Sequence, residues 1–336
     1  MTRRLALITL AAVLALGAGA TSVLSQSAPG KVAMLLPGSV NDQSWNAAGY
    51  AGLLKLKDKG LEIAYSENVQ AADHVEAMKD YARRGFSPII GHSGRFLSAA
   101  QRVAPDFGKA TFLVGSGSGG QGNVISLDVA NEQYAYAVGV LAGRMTKTGK
   151  VGAVAGLEGL PNMIASMGGF RLGVKSVRPD AEVKIIYLQS MEDPAAAKEA
   201  TFSLIAAGAD VIGGKLNAGH AGIIQAAKDK NVFATGRSVG HTAIAPERVL
   251  TNIDEKWSDI YAAAVTDLST GKLTGHYIAY GYNTPTGGAE LRYSAERALN
   301  PIVPAAVAAE LETVKKKLGS GEVKVKPTKE DARGGA

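Results

Sequence analysis

The feature that most constrains the fold is an alternation of short apolar runs with longer helical patterns, which occurs twice along the chain. In the first series the apolar runs span residues 31–36, 61–65, 88–91 and 111–114, and helical patterns span 45–56 and 74–84. In the second series the apolar runs span 151–155, 183–187, 210–212 and 232–235, with helices expected at about 162–177, 195–207 and 219–230. Continuous apolar runs separated by helices are typical of a parallel sheet covered on both faces. Two such series predict two doubly wound α/β lobes.

The two series meet at a helical apolar stripe over residues 132–145, which places the predicted lobe boundary near 147–149. The predicted first lobe comprises residues 27–148 and about 252–277, and the predicted second lobe comprises 149–251 and about 278–322. Residues 276–282 and 289–294 are predicted to form a β-hairpin. The last residues, 323–336, are predicted to be a flexible tail.

The N-terminus has the pattern of an export signal. Arg3 and Arg4 precede an uncharged apolar stretch, residues 5–20, that ends in small residues. This pattern predicts a cleavable signal peptide over residues 1–20; the alternative is a membrane anchor, since a spanning helix needs roughly 20 apolar residues. The chain has no cysteine, which excludes disulfides and a lipidated N-terminal cysteine. We therefore expect a periplasmic protein that is not a lipoprotein.

The charge of the chain does not indicate a nucleic-acid partner. The formal net charge is +6, but the 36 basic residues are interleaved with 30 acidic ones, and only residues 315–317 form a basic cluster. We interpret this charge as a contribution to solubility.

Candidate ligand contacts are expected directly after the strands, because ligands of open α/β sheets bind beyond the carboxyl ends of the strands. After the first predicted strand come Asn41, Asp42, Trp45 and Asn46. Asp42 could simply cap the following helix, and Trp45 could stack on a planar ligand or pack at the helix start. His92 also follows a predicted strand, and either a ligand hydrogen bond or a solvated loop position fits it.

The sequence does not indicate a dinucleotide-binding loop, a metal site or a catalytic serine. The glycine-rich residues 115–120 precede a predicted strand at 124–127 instead of a helix, which argues against a dinucleotide-binding loop. The five histidines lack metal-ligand spacing. Ser93 and Ser116 lack a nucleophile elbow or a paired base. We expect no cofactor, no metal and no enzymatic activity.

A series of motifs resembles one known family. The motifs are Asn41-Asp42-x-Ser44-Trp45-Asn46, Glu132-x-x-Ala135-Tyr136-x-x-Gly139, Gly149-Lys150-Val151-Gly152, the run 169–175, Asp193-Pro194, the run 207–212 and Leu250-Thr251-Asn252. In this order they resemble the basic membrane protein family of ABC-transporter substrate-binding proteins, and the resemblance covers nearly the whole chain after the signal peptide.

The resemblance implies a type I periplasmic-binding-protein fold with a purine nucleoside or a related base bound between the lobes. It implies that Trp45 stacks on the base and that Asn41, Asp42, Asn46 and Asp128 make polar contacts. Trp257 would be a second aromatic wall or a core residue at a helix start. The further candidate contacts are Met191, where the family usually carries an aromatic residue, and Asn217 and Asp254. The implied partner is a membrane permease, and we expect a monomer.

Ser238 bears on the identity of the ligand. It stands where many nucleoside binders of the family carry an aspartate for the ribose hydroxyls, so we expect a free base to be preferred over its nucleoside. In the alternative, Asp128, Asp254 or Lys256 binds the ribose. A flavin, a sugar or a signalling molecule remains open as ligand, and so does a role as a sensor subunit. A periplasmic enzyme is the less favoured alternative.

Overall fold

The computed structural model describes residues 30–42 and 45–335. The predicted signal peptide at 1–20 lies outside these residues. Within them, no helix combines the length and the apolar character that a membrane span requires.

The described residues form twelve strands and ten α-helices. The strands are β1 (Lys31–Leu35), β2 (Glu62–Ser66), β3 (Ile89–Gly91), β4 (Phe112–Gly115), β5 (Val124–Val129), β6 (Lys150–Gly156), β7 (Glu182–Leu188), β8 (Val211–Lys215), β9 (Phe233–Gly236), β10 (Val249–Glu255), β11 (Tyr277–Tyr280) and β12 (Ala289–Arg292). The helices are α1 (Trp45–Asp58), α2 (His74–Arg83), α3 (Leu97–Val103), α4 (Asn131–Met145), α5 (Pro161–Val177), α6 (Pro194–Ala206), α7 (His220–Lys230), α8 (Val239–Ile244), α9 (Trp257–Ser269) and α10 (Ala305–Ser320).

The strands form two sheets, one in each lobe, which confirms the predicted fold. In the described part of the chain, the first sheet has the order β11-β5-β4-β3-β1-β2 and the second has the order β12-β10-β9-β8-β6-β7. Every pairing is parallel except that of β12 with β10.

The first sheet is buried on both faces, as its apolar runs predict. Along β1, Val32 and Met34 pack in one apolar cluster, and Ala33 and Leu35 pack in another. All four side chains are fully buried. Because successive side chains of a strand point to opposite faces, this division shows that helices cover both sides of the sheet.

The chain crosses between the lobes at three places, and these differ from the predicted boundaries. The first crossing follows β5, because α4 packs closely against α5 of the second lobe. A Cβ atom on Gly139 of α4 would lie 2.2 Å from the carbonyl oxygen of Phe170 in α5, so the glycine permits this contact. Helix α4 therefore belongs to the second lobe, and the lobe boundary lies one helix earlier than predicted.

The second crossing lies between β10 and α9, and the third replaces the predicted β-hairpin. Strand β10 belongs to the second sheet through Glu255, and α9 then packs against α1 of the first lobe. Strand β11 joins the first sheet beside β5, while β12 pairs with β10 in the second sheet. The hairpin does not form because its two strands are edge strands of different sheets.

The predicted flexible tail instead packs along the second lobe. Arg171 of α5 donates hydrogen bonds to the carbonyl oxygens of Glu330, Asp331 and Arg333 at 3.2, 2.6 and 2.9 Å. The hydroxyl of Tyr187 donates to the carbonyl of Ala332 at 2.6 Å. Ala332 is buried in the second-lobe core, and Val323 and Val325 pack against it. The mostly polar sequence of the tail did not predict this arrangement, since its hydrogen bonds to Arg171 and Tyr187 use backbone carbonyls.

Candidate functional site

A cleft of about 800 Å³ lies between the two lobes. The first lobe lines it with residues that follow β1, β3, β4 and β5, and the second lobe with residues that follow β6, β7, β8 and β9. The carboxyl ends of both parallel sheets therefore face one space, which is the position expected for a ligand in this class of fold.

Trp45 forms part of the first-lobe wall, and its indole is held from behind. Its ring stacks on the imidazole of His92, with centroids 4.1 Å apart and planes 14° apart, and its Nε1 donates to the His92 carbonyl at 2.9 Å. Trp257 lies 5.1 Å from the Trp45 ring and 5.6 Å from the His92 ring, nearly perpendicular to both. Trp257 therefore packs beside the stack. The face of Trp45 opposite His92 is covered by neither ring.

His92 supports Trp45 and lies outside the cleft lining, so the predicted ligand hydrogen bond from His92 is not what the structure shows. The side chain is fully buried. Its Nε2 donates to the Trp45 carbonyl at 2.8 Å, so its Nδ1 accepts from the Tyr261 hydroxyl at 2.6 Å. Burial lowers the pKa of His92 to about 4, which keeps the ring neutral.

The polar residues before Trp45 shape the wall through internal hydrogen bonds. Asp42 accepts from the backbone N–H of Asn46 and Ala47, each at 2.9 Å, as a helix cap does. The Asn46 side chain donates to Asp42 at 2.7 Å and accepts from the Gly38 backbone at 3.1 Å. Asp42 and Asn46 line the cleft, whereas Asn41 is exposed outside its lining.

Asp128, near the end of β5, is a buried carboxyl group that faces the cleft. It accepts from the Val129 backbone at 2.8 Å, the Tyr277 hydroxyl at 3.3 Å, and Ser116 and Asn131 at 3.4 Å each. Burial raises the pKa of Asp128 to about 7, although the nearby charge of Lys215 opposes this shift. The carboxyl group therefore changes charge near neutral pH.

Two cations, Lys215 and Arg237, form the floor of the cleft on the second-lobe side, and both pair with the buried carboxylate of Glu255, which lies outside the cleft lining. Lys215, at the end of β8, donates to the Asn131 side chain and to Glu255 at 3.2 Å. Arg237, directly after β9, donates to Glu255 at 2.6 Å and to the Leu216 carbonyl at 3.0 Å. Glu255 also accepts from Nε1 of Trp257 at 2.8 Å.

The charges of this floor hold each other in their ionised forms. Burial alone would raise the pKa of Glu255, but Arg237 and Lys215 together lower it well below its ordinary value. Burial lowers the pKa of Lys215, and the charge of Glu255 opposes this shift. We refer to Lys215, Arg237 and Glu255 as the floor cluster.

Two further predicted contacts, Met191 and Asn217, lie on the second-lobe side of the cleft. Met191 packs over Gly156 at the end of β6, where a Cβ atom would lie 2.5 Å from the Met191 Cγ. Asn217 donates to Glu192 at 2.5 Å. Both positions fit the rule that cleft residues follow the strands.

Ser238, Asp254 and Trp257 lie outside the cleft lining, in contrast to their prediction as contacts. Successive side chains of extended backbone point to opposite sides, so Arg237 faces the cleft and Ser238 does not. Asp254 pairs with Arg292 of β12 at 3.3 Å. Trp257 is 1% exposed and packs in the first-lobe core.

Other polar residues of the lining were not predicted as contacts; they include Arg95, Ser116, Glu132, Lys215, Arg237 and Tyr277. The signal for Lys215 and Arg237 was present, since each follows a strand of the second series. Tyr277 carried no such signal, because its place depends on the insertion of β11 beside β5.

Among the described residues, no group of three or more histidine, aspartate or glutamate side chains could hold a metal ion.

Comparison with known proteins assigns the family. A model of PnrA-like ABC transporter substrate-binding proteins (Bmp) matches residues 30–329. The chain is 28% identical over 265 residues to the transcriptional activator protein med of Bacillus subtilis, covering 78% of this chain and 81% of that protein. It is 31% identical over 216 residues to a purine-binding protein of Brucella abortus, covering 63% of this chain and 61% of that protein.

A solved structure supports the fold. An ABC transporter solute-binding protein from Conexibacter woesei superimposes with a TM-score of 0.70 at 24% identity, over 89% of this chain and 99% of that one. At this identity the likeness shows the two-lobed fold alone. The family match over residues 30–329 confirms what the ordered motifs predicted: the chain belongs to the PnrA-like (Bmp) family of ABC transporter substrate-binding proteins.

Proposed function

We propose that this substrate-binding protein captures a purine-like heterocycle outside the cytoplasm and delivers it, as a monomer, to the permease of an ABC importer. The main support for this proposal is the fixed orientation of the Trp45 indole at the cleft. Its indole is fixed by His92 and a hydrogen bond, and it presents a face that neither His92 nor Trp257 covers at an 800 Å³ cleft. A rigid aromatic face suits a planar ligand, since stacking on it requires little reordering of the protein.

The purine class is supported by the likeness to the purine-binding protein of Brucella abortus. The mechanism follows from the two lobes. Closure around the ligand would exclude water from the cleft and create the surface that the permease recognises. The ligand leaves unchanged, which distinguishes this function from that of an enzyme.

We also propose that a free base binds more tightly than its nucleoside. Ser238 lies outside the cleft lining, so this preference is now based on the carboxylates that line the cleft. A ribose presents hydroxyl donors, which need acceptors in a closed cleft. Three of the four carboxylates in the cleft lining are engaged within the protein: Asp42 caps α1, Asp128 accepts four hydrogen bonds, and Glu192 accepts from Asn217 and the Ala218 backbone. Glu132 is the cleft carboxylate best placed to serve a ribose instead.

Titration calorimetry with purine bases and the matching nucleosides tests the proposal. We expect Trp45→Ala to weaken binding by about tenfold or more, because stacking of a base on an aromatic ring contributes roughly 1–3 kcal/mol. Tyr65→Ala is the matched control, since this aromatic residue is exposed outside the cleft, beside Tyr50. Unchanged affinity in Trp45→Ala would refute the stacking role.

The same titrations test the ligand preference. A nucleoside that binds about tenfold more tightly than its base would refute the preference for the free base. Glu132→Gln would then identify the ribose acceptor. Mass spectrometry of the ligand released from the purified protein by denaturation gives the ligand's identity independently.

A further inference from the structure

The floor cluster holds more hydrogen-bond donors than its internal partners use. Lys215 and Arg237 have side chains that are only 10% and 12% exposed, and both line the cleft. Their hydrogen bonds to Asn131, Glu255 and the Leu216 carbonyl engage half of the N–H donors that an ammonium and a guanidinium group carry together. Among the described residues these are their hydrogen-bond acceptors, so the remaining N–H groups have no protein acceptor.

The charges of the floor cluster are also unequal. One carboxylate, Glu255, serves two cations, and its second oxygen accepts from Trp257. Two further carboxyl groups, Asp128 and Glu132, interact with Lys215, and burial raises the pKa of both. Asp128 already accepts four hydrogen bonds, and its pKa of about 7 leaves it partly neutral at physiological pH. The floor therefore presents positive charge and donors to whatever occupies the cleft.

We propose that the floor cluster selects the ligand by its acceptors, so that the protein binds oxopurines in preference to aminopurines. This inference rests on the proposed function and narrows its ligand class. A carbonyl oxygen accepts hydrogen bonds from Arg237 and Lys215, and a bond with a charged donor is about twice as strong as a neutral one. An exocyclic amino group presents donors to donors. Because the floor is desolvated when the lobes close, each mismatched donor then remains without an acceptor.

Calorimetry with hypoxanthine, adenine and unsubstituted purine tests the proposal on the wild-type protein. Hypoxanthine carries a carbonyl oxygen where adenine carries an amino group, and an N–H at the adjacent ring nitrogen where adenine has an acceptor. Purine lacks both exocyclic groups and keeps the acceptor nitrogen of adenine. We expect hypoxanthine to bind about tenfold or more tightly than adenine, because a site built for hydrogen bonding rejects a ligand that leaves its polar groups unpaired. Purine reports stacking and the hydrogen bonds of the ring nitrogens, without any contribution from an exocyclic group.

The variant Arg237→Met removes the donors while Lys215 continues to neutralise Glu255. We expect hypoxanthine affinity to fall about tenfold and purine affinity to change little. Arg292→Met is the matched control, because it removes another arginine of the second lobe that is paired with a carboxylate, Asp254, outside the cleft. If Arg237→Met does not fold, Lys215→Met replaces it, and the wild-type comparison requires no variant.

The possible results distinguish failure of the oxopurine preference from failure of purine binding itself. Adenine binding as tightly as hypoxanthine, or an unchanged preference in Arg237→Met, would overturn this inference and leave the purine-binding function intact. Failure of every purine to bind would overturn both. A preference for hypoxanthine that Arg237→Met abolishes and Arg292→Met retains supports it.

Discussion

At the scale of single residues, burial at the cleft edge determines the charge of Asp128. Its ordinary pKa of 3.8 is raised to about 7 in the folded protein. A carboxyl group with a raised pKa stabilises the fold fully at low pH, and this contribution is lost as the pH rises through the folded pKa. Since one pKa unit corresponds to about 1.4 kcal/mol, the loss between pH 4 and pH 7 is on the order of 4 kcal/mol.

Asp128→Asn removes this titration while retaining a group that accepts from the Val129 backbone. We expect the variant to gain stability relative to the wild type as the pH rises from 5 to 8. Urea unfolding at both pH values measures the difference. Asp106→Asn, an exposed aspartate on the same lobe, is the control. A difference between Asp128→Asn and wild type that does not depend on pH would show that Asp128 is ionised throughout.

The sequence identified both tryptophans but could not assign their roles. Each is the first residue of the helix that follows a strand, and each carries the same indole side chain. The difference is tertiary: α1 follows β1 within the first lobe, whereas α9 crosses from β10 of the second lobe and packs against α1. This crossing buries Trp257 and leaves Trp45 at the cleft. Long-range packing of this kind leaves no local signal.

At the scale of elements, the close packing of α1 on the core depends on two glycines. A Cβ atom at Gly49 would lie 2.4 Å from Cδ2 of the buried His92 ring, and one at Gly52 would lie 3.0 Å from Cδ2 of Tyr261 and 3.2 Å from Cα of Ser258. Glycine inside a helix costs about 1 kcal/mol relative to alanine. The close approach of α1 to His92 and α9 offsets this cost, since it allows His92 to stack on Trp45.

Gly49→Ala should therefore destabilise the protein despite its better helix propensity. Overpacking of a core costs typically about 1–3 kcal/mol, and the displaced His92 ring should also weaken ligand binding. Thermal unfolding and calorimetry measure the two effects. Gly240→Ala is the matched control, since Gly240 is also helical and its Cβ would have a single contact, at 3.5 Å. An unchanged or raised Tm in Gly49→Ala would show that the His92 ring can move.

Elements with a strong local pattern were predictable from the sequence, and edge elements were not. The predicted helices at 45–56, 162–177 and 219–230 agree with α1, α5 and α7 to within two residues at each end. In contrast, β11 and β12 are four-residue strands, and each lies at the edge of its sheet. Two short strands separated by turn residues have the same local pattern whether they pair with each other or with distant partners.

At the scale of the whole molecule, the floor cluster connects the lobes. Lys215 and Arg237 belong to the second lobe, Trp257 belongs to the first, and Glu255 accepts hydrogen bonds from all three at the crossing between β10 and α9. A ligand that contacts Arg237 and Trp45 would therefore contact both lobes and groups adjacent to a crossing. Such an arrangement fits lobe closure coupled to binding.

Buried histidines in both lobes should make the whole molecule sensitive to acid. Burial lowers the pKa of His92 in the first lobe and of His241 in the second to about 4, and lowers that of His220 well below its ordinary value. His220 and His241 stack with centroids 4.9 Å apart, and the nearby charge of Arg237 further disfavours protonation of His241. A histidine with a lowered pKa stabilises the fold above about pH 6.5, and this contribution is lost as the pH falls through the folded pKa.

We therefore expect the unfolding free energy to fall between pH 6.5 and pH 4, by about 3 kcal/mol for each of His92 and His241, in spite of the opposite contribution of Asp128. The double variant His92→Gln/His241→Gln should show a shallower decline than the wild type, and His276→Gln, an exposed histidine, should not.

The two tryptophans of the chain both lie in the first lobe, so their fluorescence reports that lobe, while far-UV circular dichroism reports both. Because His92 contacts both tryptophan rings and the other two histidines lie in the second lobe, the two signals should decline over the same pH range. A fluorescence transition that persists unchanged to pH 4 while the dichroism signal is lost would show that His92 does not contribute and that acid unfolds the second lobe alone.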